Sequence, residues 1–141
     1  MVHESYEVAP ASDAGGQRLW LERLRLTDFR NYAHLSLDLD ERPVVLTGAN
    51  GAGKTNLLEA VSLLSPGRGL RQMTFQEITR AGASGGWAVA GKLHGQAGTV
   101  ELGTGLAGSS GTNETGRQAR IDGKAQRSSG ALGYHVRLIW L

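Results

Sequence analysis

Cysteine is absent from all 141 residues. That excludes disulfides and thiolate metal sites, and it is compatible with a reducing compartment. No apolar run approaches the ~18 residues of a membrane span. The opening "MVHESYEVAPASDAGGQ" lacks the basic-then-apolar pattern of a secretory signal. His3, His34, His94 and His135 are scattered without ligand spacing, so no histidine metal centre is expected. These absences predict a soluble cytoplasmic protein with no membrane partner.

What is present is an ordinary apolar content and an unusual amount of glycine. Apolar residues make up 40% and glycine numbers 21, so a folded core is expected, with many loops. Much of the glycine excess lies between Gly82 and Gly133. The formal charge is only +2, which by itself says little about a polyanionic partner. Arg117, Arg120, Lys124 and Arg127 cluster, however, with only Asp122 among them. The cluster reads either as a phosphate-facing patch or as a solvated hairpin.

Residues 1–18 are mostly polar and without periodicity, a flexible arm. From Leu19 the pattern changes, and 19–141 read as one unit. "LERLRLTDF" alternates about Leu24 and Leu26, and "LSLDLD" places Leu35, Leu37 and Leu39 on one side. Period-two alternation predicts two half-buried strands joined by "RNYAH". "PVVLTG" has consecutive Val44, Val45 and Leu46, as in a strand buried on both faces. In "KTNLLEAVSLL", Leu57, Leu58, Val61 and Leu64 have helical spacing, ended by Pro66 and Gly67.

Between that strand and that helix lies "GANGAGKTN". It fits G-x-x-x-x-G-K-[ST] with Gly48, Gly53, Lys54 and Thr55 at the fixed places. Asn50-Gly51 alone suggests a hairpin turn, but the residues after the loop repeat with a period near 3.6 rather than 2. The expected structure is therefore a phosphate loop. Its candidate binding residues are Gly48, Ala49, Asn50, Gly51, Ala52, Gly53, Lys54, Thr55 and Asn56. Backbone amides near Asn50 to Thr55 would surround phosphate oxygens at a helix N-terminus. Lys54 would reach the β- and γ-phosphates of ATP, and the Thr55 hydroxyl would take Mg²⁺.

Other signatures are missing. No apolar strand closes on an acid that could serve as the second metal-side carboxylate of a hydrolysis site. Nucleotide binding is therefore expected ahead of cleavage. "HVRLIWL" reads as a core strand on which the sequence stops, so it looks cut short. A guanine switch would need N-K-x-D after the loop, and none occurs. "GWAVAGKLHG", "GTVELGTGL" and "RQARIDGKAQ" read as short antiparallel strands, the last turning at Asp122-Gly123. A hairpin, a P-loop, a helix and further antiparallel strands predict an α/β P-loop NTPase. They match an ABC-type ATPase head lobe with an antiparallel β subdomain. A P-loop nucleotide kinase or other phosphotransferase is the alternative, with less support, because small kinases begin at the loop strand.

"LRLTDFRNYAHLSLDLD", "GANGAGKTNLLEAVSLLSPGRGLR" and "RIDGK" together resemble the N-terminal third of the RecF family of bacterial DNA replication and repair ATPases. The resemblance runs from about Leu19 to the end of the sequence. It implies an ATP-dependent protein that binds single-stranded or gapped DNA, pairs as a homodimer across two nucleotides and hydrolyses ATP slowly. It also implies help in loading recombinase, a part in the SOS response, and partners of the RecO and RecR type. The arm before Leu19 and the "TGLAGSSGTNETG" loop are longer than that family usually carries. Its helical arm, signature motif and Walker B acid are missing.

On the same resemblance, Arg30 and Asn31 end the first strand close to the nucleotide. There they neutralise or hydrogen-bond terminal phosphate, or else form an exposed turn. Arg68 and Arg71 in "GRGLR" either face nucleotide, dimer partner or DNA, or are simply solvated. Tyr32 either stacks on a base or sits half-buried beside the hairpin.

Overall fold

Alternation in "WLERLRLTDF" produces the longest strand among the described residues, β1 (Trp20–Phe29). Leu24 and Leu26 are buried while Arg25 between them is exposed, so one face meets the core and the other meets water. The computed structural model describes residues 18–51, 53–107 and 116–138. All of the expected N-terminal arm except Arg18 lies outside them, as does most of the 104–116 loop.

Strand β2 (Tyr32–Asp38) pairs antiparallel with β1, and Phe29 stands opposite Tyr32. The connection is thus only Arg30-Asn31, shorter than the expected "RNYAH", because Tyr32, Ala33 and His34 already belong to the ladder. On the other edge of β1 lies β3 (Ala88–Gly95), with Leu26 opposite Val89. Strands β4 (Gly98–Gly105), β5 (Gln118–Ile121) and β6 (Lys124–Ala125) extend the sheet, each antiparallel to its neighbour. The order is β2-β1-β3-β4-β5-β6. Asp122 and Gly123 carry positive φ of 49° and 79°, the two-residue turn expected between β5 and β6.

Helix α1 (Lys54–Ser62) packs on β1 and β3. A Cβ on Gly91 of β3 would lie 2.5 Å from Leu64 Cδ1, so the bare backbone there admits the end of the helix. Leu57, Ala60, Leu63 and Leu64 join Leu24, Leu26, Phe29, Val89, Leu93 and Leu102 in the core. Leu58, expected on the apolar face, is 44% exposed. The turn of the helix brings Ala60 inward instead, and Leu58 faces out. A short helix, α2 (Phe75–Ile78), starts at a capping box in which Thr74 and Glu77 exchange hydrogen bonds. Trp87 donates from Nε1 to the Phe75 carbonyl at 2.7 Å and meets Phe29 edge-on at 5.6 Å. One buried indole therefore ties α2 to the sheet.

One sequence expectation is overturned, and a second is not met over the part of it that is described. Residues 43–49 form no strand, and Val44 and Val45 are 49% and 38% exposed. A doubly buried strand needs a ladder partner on each side, and the described sheet, wholly antiparallel, supplies none to this segment. "HVRLIWL" likewise forms no strand over 136–138, although Val136 is buried after a 3₁₀ turn at Ser129–Tyr134. Residues 139–141 lie outside the described residues.

Arg117 departs from the expected basic patch. Its guanidinium turns inward, donating to the Ser65 carbonyl at 3.0 Å, to Thr104 Oγ1 at 2.6 Å, and to the carbonyls of Leu63 and Gly67. It caps the C-terminal end of α1, where a cation complements the helix dipole. Burial lowers its pKa to about 10. Arg120, Lys124 and Arg127 remain exposed.

Candidate phosphate-binding site

The site forms where the Gly48–Asn56 loop runs into α1. Gly53 is the N-cap residue, in left-handed conformation with φ 96°, and no side chain caps the helix. The Leu57 amide donates to the Gly53 carbonyl at 3.1 Å, opening the helical ladder. A Cβ on Gly53 would stand 2.5 Å from Tyr32 Oη and 2.8 Å from Asn31 Nδ2. Both its φ and its surroundings therefore require glycine. The α1 N-terminus has no acidic residue in its first turn, so nothing there opposes an anion at the positive end of the dipole.

A cavity of about 320 Å³ opens above this turn, lined by Asn50, Gly51, Gly53, Lys54, Thr55, Asn56 and Arg71. The space beside Gly51 (φ 86°) is open, with nothing within 4 Å of where a Cβ would sit. Lys54 folds over the loop and donates from Nζ to the Gly48 carbonyl. Ala52 lies outside the described residues. Ala49 belongs to the same loop but does not line the cavity.

The β1–β2 turn does not line the cavity but braces it through Asn56 and Gly53. Asn56 Nδ2 donates to Asn31 Oδ1 at 2.7 Å. Arg30 Nε and Arg71 Nη1 each approach Asn56 Oδ1 at 3.4 Å. Tyr32 Oη donates to the Gly53 carbonyl at 3.1 Å, so this tyrosine supports the loop from below. Burial raises the Tyr32 pKa, which keeps it a neutral donor. Arg30 itself has a positive φ of 54°. Its amide donates to Ile78 O at 2.8 Å and its Nη1 to Glu77 O at 3.1 Å. The Arg80 amide returns a bond to Asp28 O at 2.8 Å. The C-terminal end of α2 and Arg80 just beyond it thereby hold the strained turn against the loop.

The structure thus brings Arg30, Asn31 and Arg71 to the P-loop, three residues whose roles the sequence left open. Arg68 is exposed and does not line the cavity. Glu59, passed over in the sequence as an ordinary helix residue, is fully buried behind the site. Its Oε2 stands 3.7 Å from Arg71 Nε. Burial raises its pKa, opposed by Arg71 and Arg30. An acid inside "LLEAV" was the available signal, four positions after Thr55.

Uncapped helix amides, an ammonium, a hydroxyl and the Arg71 guanidinium around one concavity, with Arg30 behind Asn56, suit a polyphosphate. Among the described residues no group of three or more His, Cys, Asp or Glu could hold a metal by itself. The donor set fits a divalent ion held by one hydroxyl and by phosphate oxygens rather than by a protein cage.

Residues 23–125 match the family model described as an AAA domain. The chain belongs to the AAA domain family. In sequence the chain is similar to the DNA replication and repair protein RecF of Rhizobium leguminosarum bv. trifolii, 56% identical over 121 residues. That alignment takes in 86% of this chain and 32% of the relative. The chain spans about a third of the length of the curated relatives it matches. In fold it is similar to the recombination mediator protein RecF-ATP of the RecFOR pathway. The TM-score is 0.69 at 22% identity, over 85% of this chain and 32% of that one. It is also similar to the SMC head domain from Thermotoga maritima, with a TM-score of 0.55 at 16% identity, over 76% of this chain and 38% of that one. The fold is that of a P-loop ABC-type ATPase head, including its antiparallel sheet. Among the described residues no helix is long and apolar enough to cross a membrane.

Proposed function

We propose that this chain is the ATP-binding lobe of a RecF-type DNA replication and repair protein. The observation that carries the proposal is the cavity lined by Gly51, Gly53, Lys54, Thr55 and Asn56 at an uncapped helix start. ATP would lie with its β- and γ-phosphates against the Gly51–Thr55 backbone and Lys54. Thr55 would hold Mg²⁺, which when bound supplies charge neutralisation between phosphate oxygens. Arg30 and Asn31, joined to the loop through Asn56, would bind the terminal phosphate and fix its orientation.

The same reading makes DNA the macromolecular partner, through phosphate contacts in the cytoplasm. Arg127, Arg137 and the 89% exposed Tyr134 border a second cavity of about 890 Å³, a cationic and aromatic surface suited to single-stranded nucleic acid. ATP-dependent pairing of two copies, cooperation with RecO- and RecR-type proteins, recombinase loading and a part in the SOS response complete the proposal. They rest on the 56% identity to RecF.

Isothermal titration of ATP with Mg²⁺ into the parent and into Lys54→Ala tests the nucleotide reading. Binding that falls at least tenfold in the variant, about 1.4 kcal/mol, is the expected result. Equal affinity in the two would refute it.

A further inference from the structure

Glu59 poses a physical problem that the phosphate site does not explain. Its side chain is fully buried, yet neither carboxylate oxygen has a hydrogen bond among the described residues. A buried carboxylate left in that state is costly. An apolar residue would pack more cheaply beside Leu57 and Ala60, its neighbours in the core of α1.

The charges around it supply a reason. Arg30 comes from the β1–β2 turn and Arg71 from the segment after α1, and both guanidiniums approach the same acceptor, Asn56 Oδ1, at 3.4 Å. Two cations converging on one neutral amide oxygen repel each other. The Glu59 carboxylate lies 3.7 Å from Arg71 Nε, and its field also reaches Arg30. A guanidinium is a rigid planar fork. With its Nε edge turned to Glu59, Arg71 keeps its Nη edge toward Asn56 and the cavity it lines.

We infer that Glu59 is a positioning residue: its carboxylate is the buried counter-charge that lets Arg30 and Arg71 converge on Asn56 and aims the Arg71 fork into the phosphate cavity. This inference rests on the nucleotide reading of the cavity. The ligand class it refines is a nucleoside triphosphate whose terminal phosphate meets an oriented Arg71 guanidinium. Glu59 itself touches no ligand and acts through Arg71.

The test compares the parent with Glu59→Gln, Arg71→Gln and the double variant. Each is titrated with ATP and Mg²⁺, and the Arg71 Nε–H signal of the parent and Glu59→Gln is followed by NMR. Glu59→Gln keeps the shape and removes the charge, so its melting temperature is expected to equal or exceed the parent's while ATP affinity falls about tenfold. The double variant is expected to bind no more weakly than Arg71→Gln alone, since the two residues act in series. The Arg71 Nε–H signal is expected to shift and lose protection from exchange in Glu59→Gln. Unchanged or tighter ATP affinity in Glu59→Gln, or losses that add in the double variant, would overturn the inference. If the parent itself binds no ATP, the proposed function fails, and the Nε–H signal still decides whether Glu59 orients Arg71. An unmoved signal refutes the positioning role.

Discussion

Replacing Arg117 by methionine keeps most of the apolar stem and removes a guanidinium that serves four acceptors. Those acceptors are the carbonyls of Leu63, Ser65 and Gly67 and the Thr104 hydroxyl. Hydrogen bonds from a charged donor contribute roughly 1.5–3 kcal/mol each when taken singly, but four on one group do not add. Against them stands the desolvation of the guanidinium. A pKa lowered from 12.5 to about 10 corresponds to a cost of about 3 kcal/mol. The difference leaves a net loss of about 2–4 kcal/mol for Arg117→Met. Buried carbonyls at the C-terminal end of α1, left without a donor, account for much of it. Urea unfolding monitored by circular dichroism measures the loss as a lowered midpoint at unchanged slope. Because α1 begins at Lys54, the variant is also expected to fray the helix from the end opposite the phosphate loop. A midpoint within 0.5 kcal/mol of the parent, by the same roughly ±0.5 kcal/mol standard as an ordinary surface substitution, would refute the helix-capping role of Arg117.

Gly53→Ala places a methyl group 2.5 Å from Tyr32 Oη at a φ of 96°. It is expected to cost about 1–3 kcal/mol in the unfolding midpoint and to abolish ATP binding in the same titration. Gly91→Ala meets the movable side-chain ends of Leu64 at 2.5 Å and Leu21 at 3.1 Å, so a loss of about 1–2 kcal/mol is expected in urea, with ATP affinity little changed. The Glu77 carboxyl has its pKa lowered by the side-chain and backbone donors of Thr74. Its folded value lies below its unfolded one, so its contribution is present above the ordinary carboxylate pKa and lost as pH falls through the folded value. Glu77→Gln should therefore flatten part of the acid limb below about pH 4.5, measured by melting temperature against pH. DNA affinity is expected to fall steeply with salt, the logarithm of the binding constant being linear in the logarithm of salt concentration. A flat response in a fluorescence anisotropy titration would contradict phosphate contacts.

Elements whose physics is local could be read directly from the sequence. Alternation about Leu24 and Leu26 specified β1, and the spacing of Gly48, Gly53, Lys54 and Thr55 beside a period near 3.6 specified the loop and helix. Asp122-Gly123 specified its turn for the same reason, since few pairs accept two positive φ values. Val44 and Val45 misled because burial of a strand depends on partners elsewhere, which apolarity alone does not provide. Arg117 misled in the opposite direction. A charge in a basic cluster suggests a solvated face, and only the approach of the residue before β5 to Thr104 and to the chain leaving α1 turns it inward. At the site, the loop was legible and the side chains that brace it were not. Arg30 and Arg71 stand 41 positions apart by their numbering, and the β1–β2 turn and the segment after α1 have to fold together before both reach Asn56. Glu59 gave only the weak signal of an acid between apolar neighbours, and nothing local says whether such an acid on a helix is buried or solvated.

The central claim is that the backbone from Gly51 to Asn56, with Lys54, holds a triphosphate. Amide chemical shifts followed by NMR during titration with ATP and Mg²⁺ test it most directly. The largest shifts are expected on the amides of Gly51, Gly53, Lys54, Thr55 and Asn56, with the Asn31 side chain moving alongside them. Saturating nucleotide that leaves those amides unmoved, or shifts concentrated around Arg127 to Tyr134 instead, would contradict it.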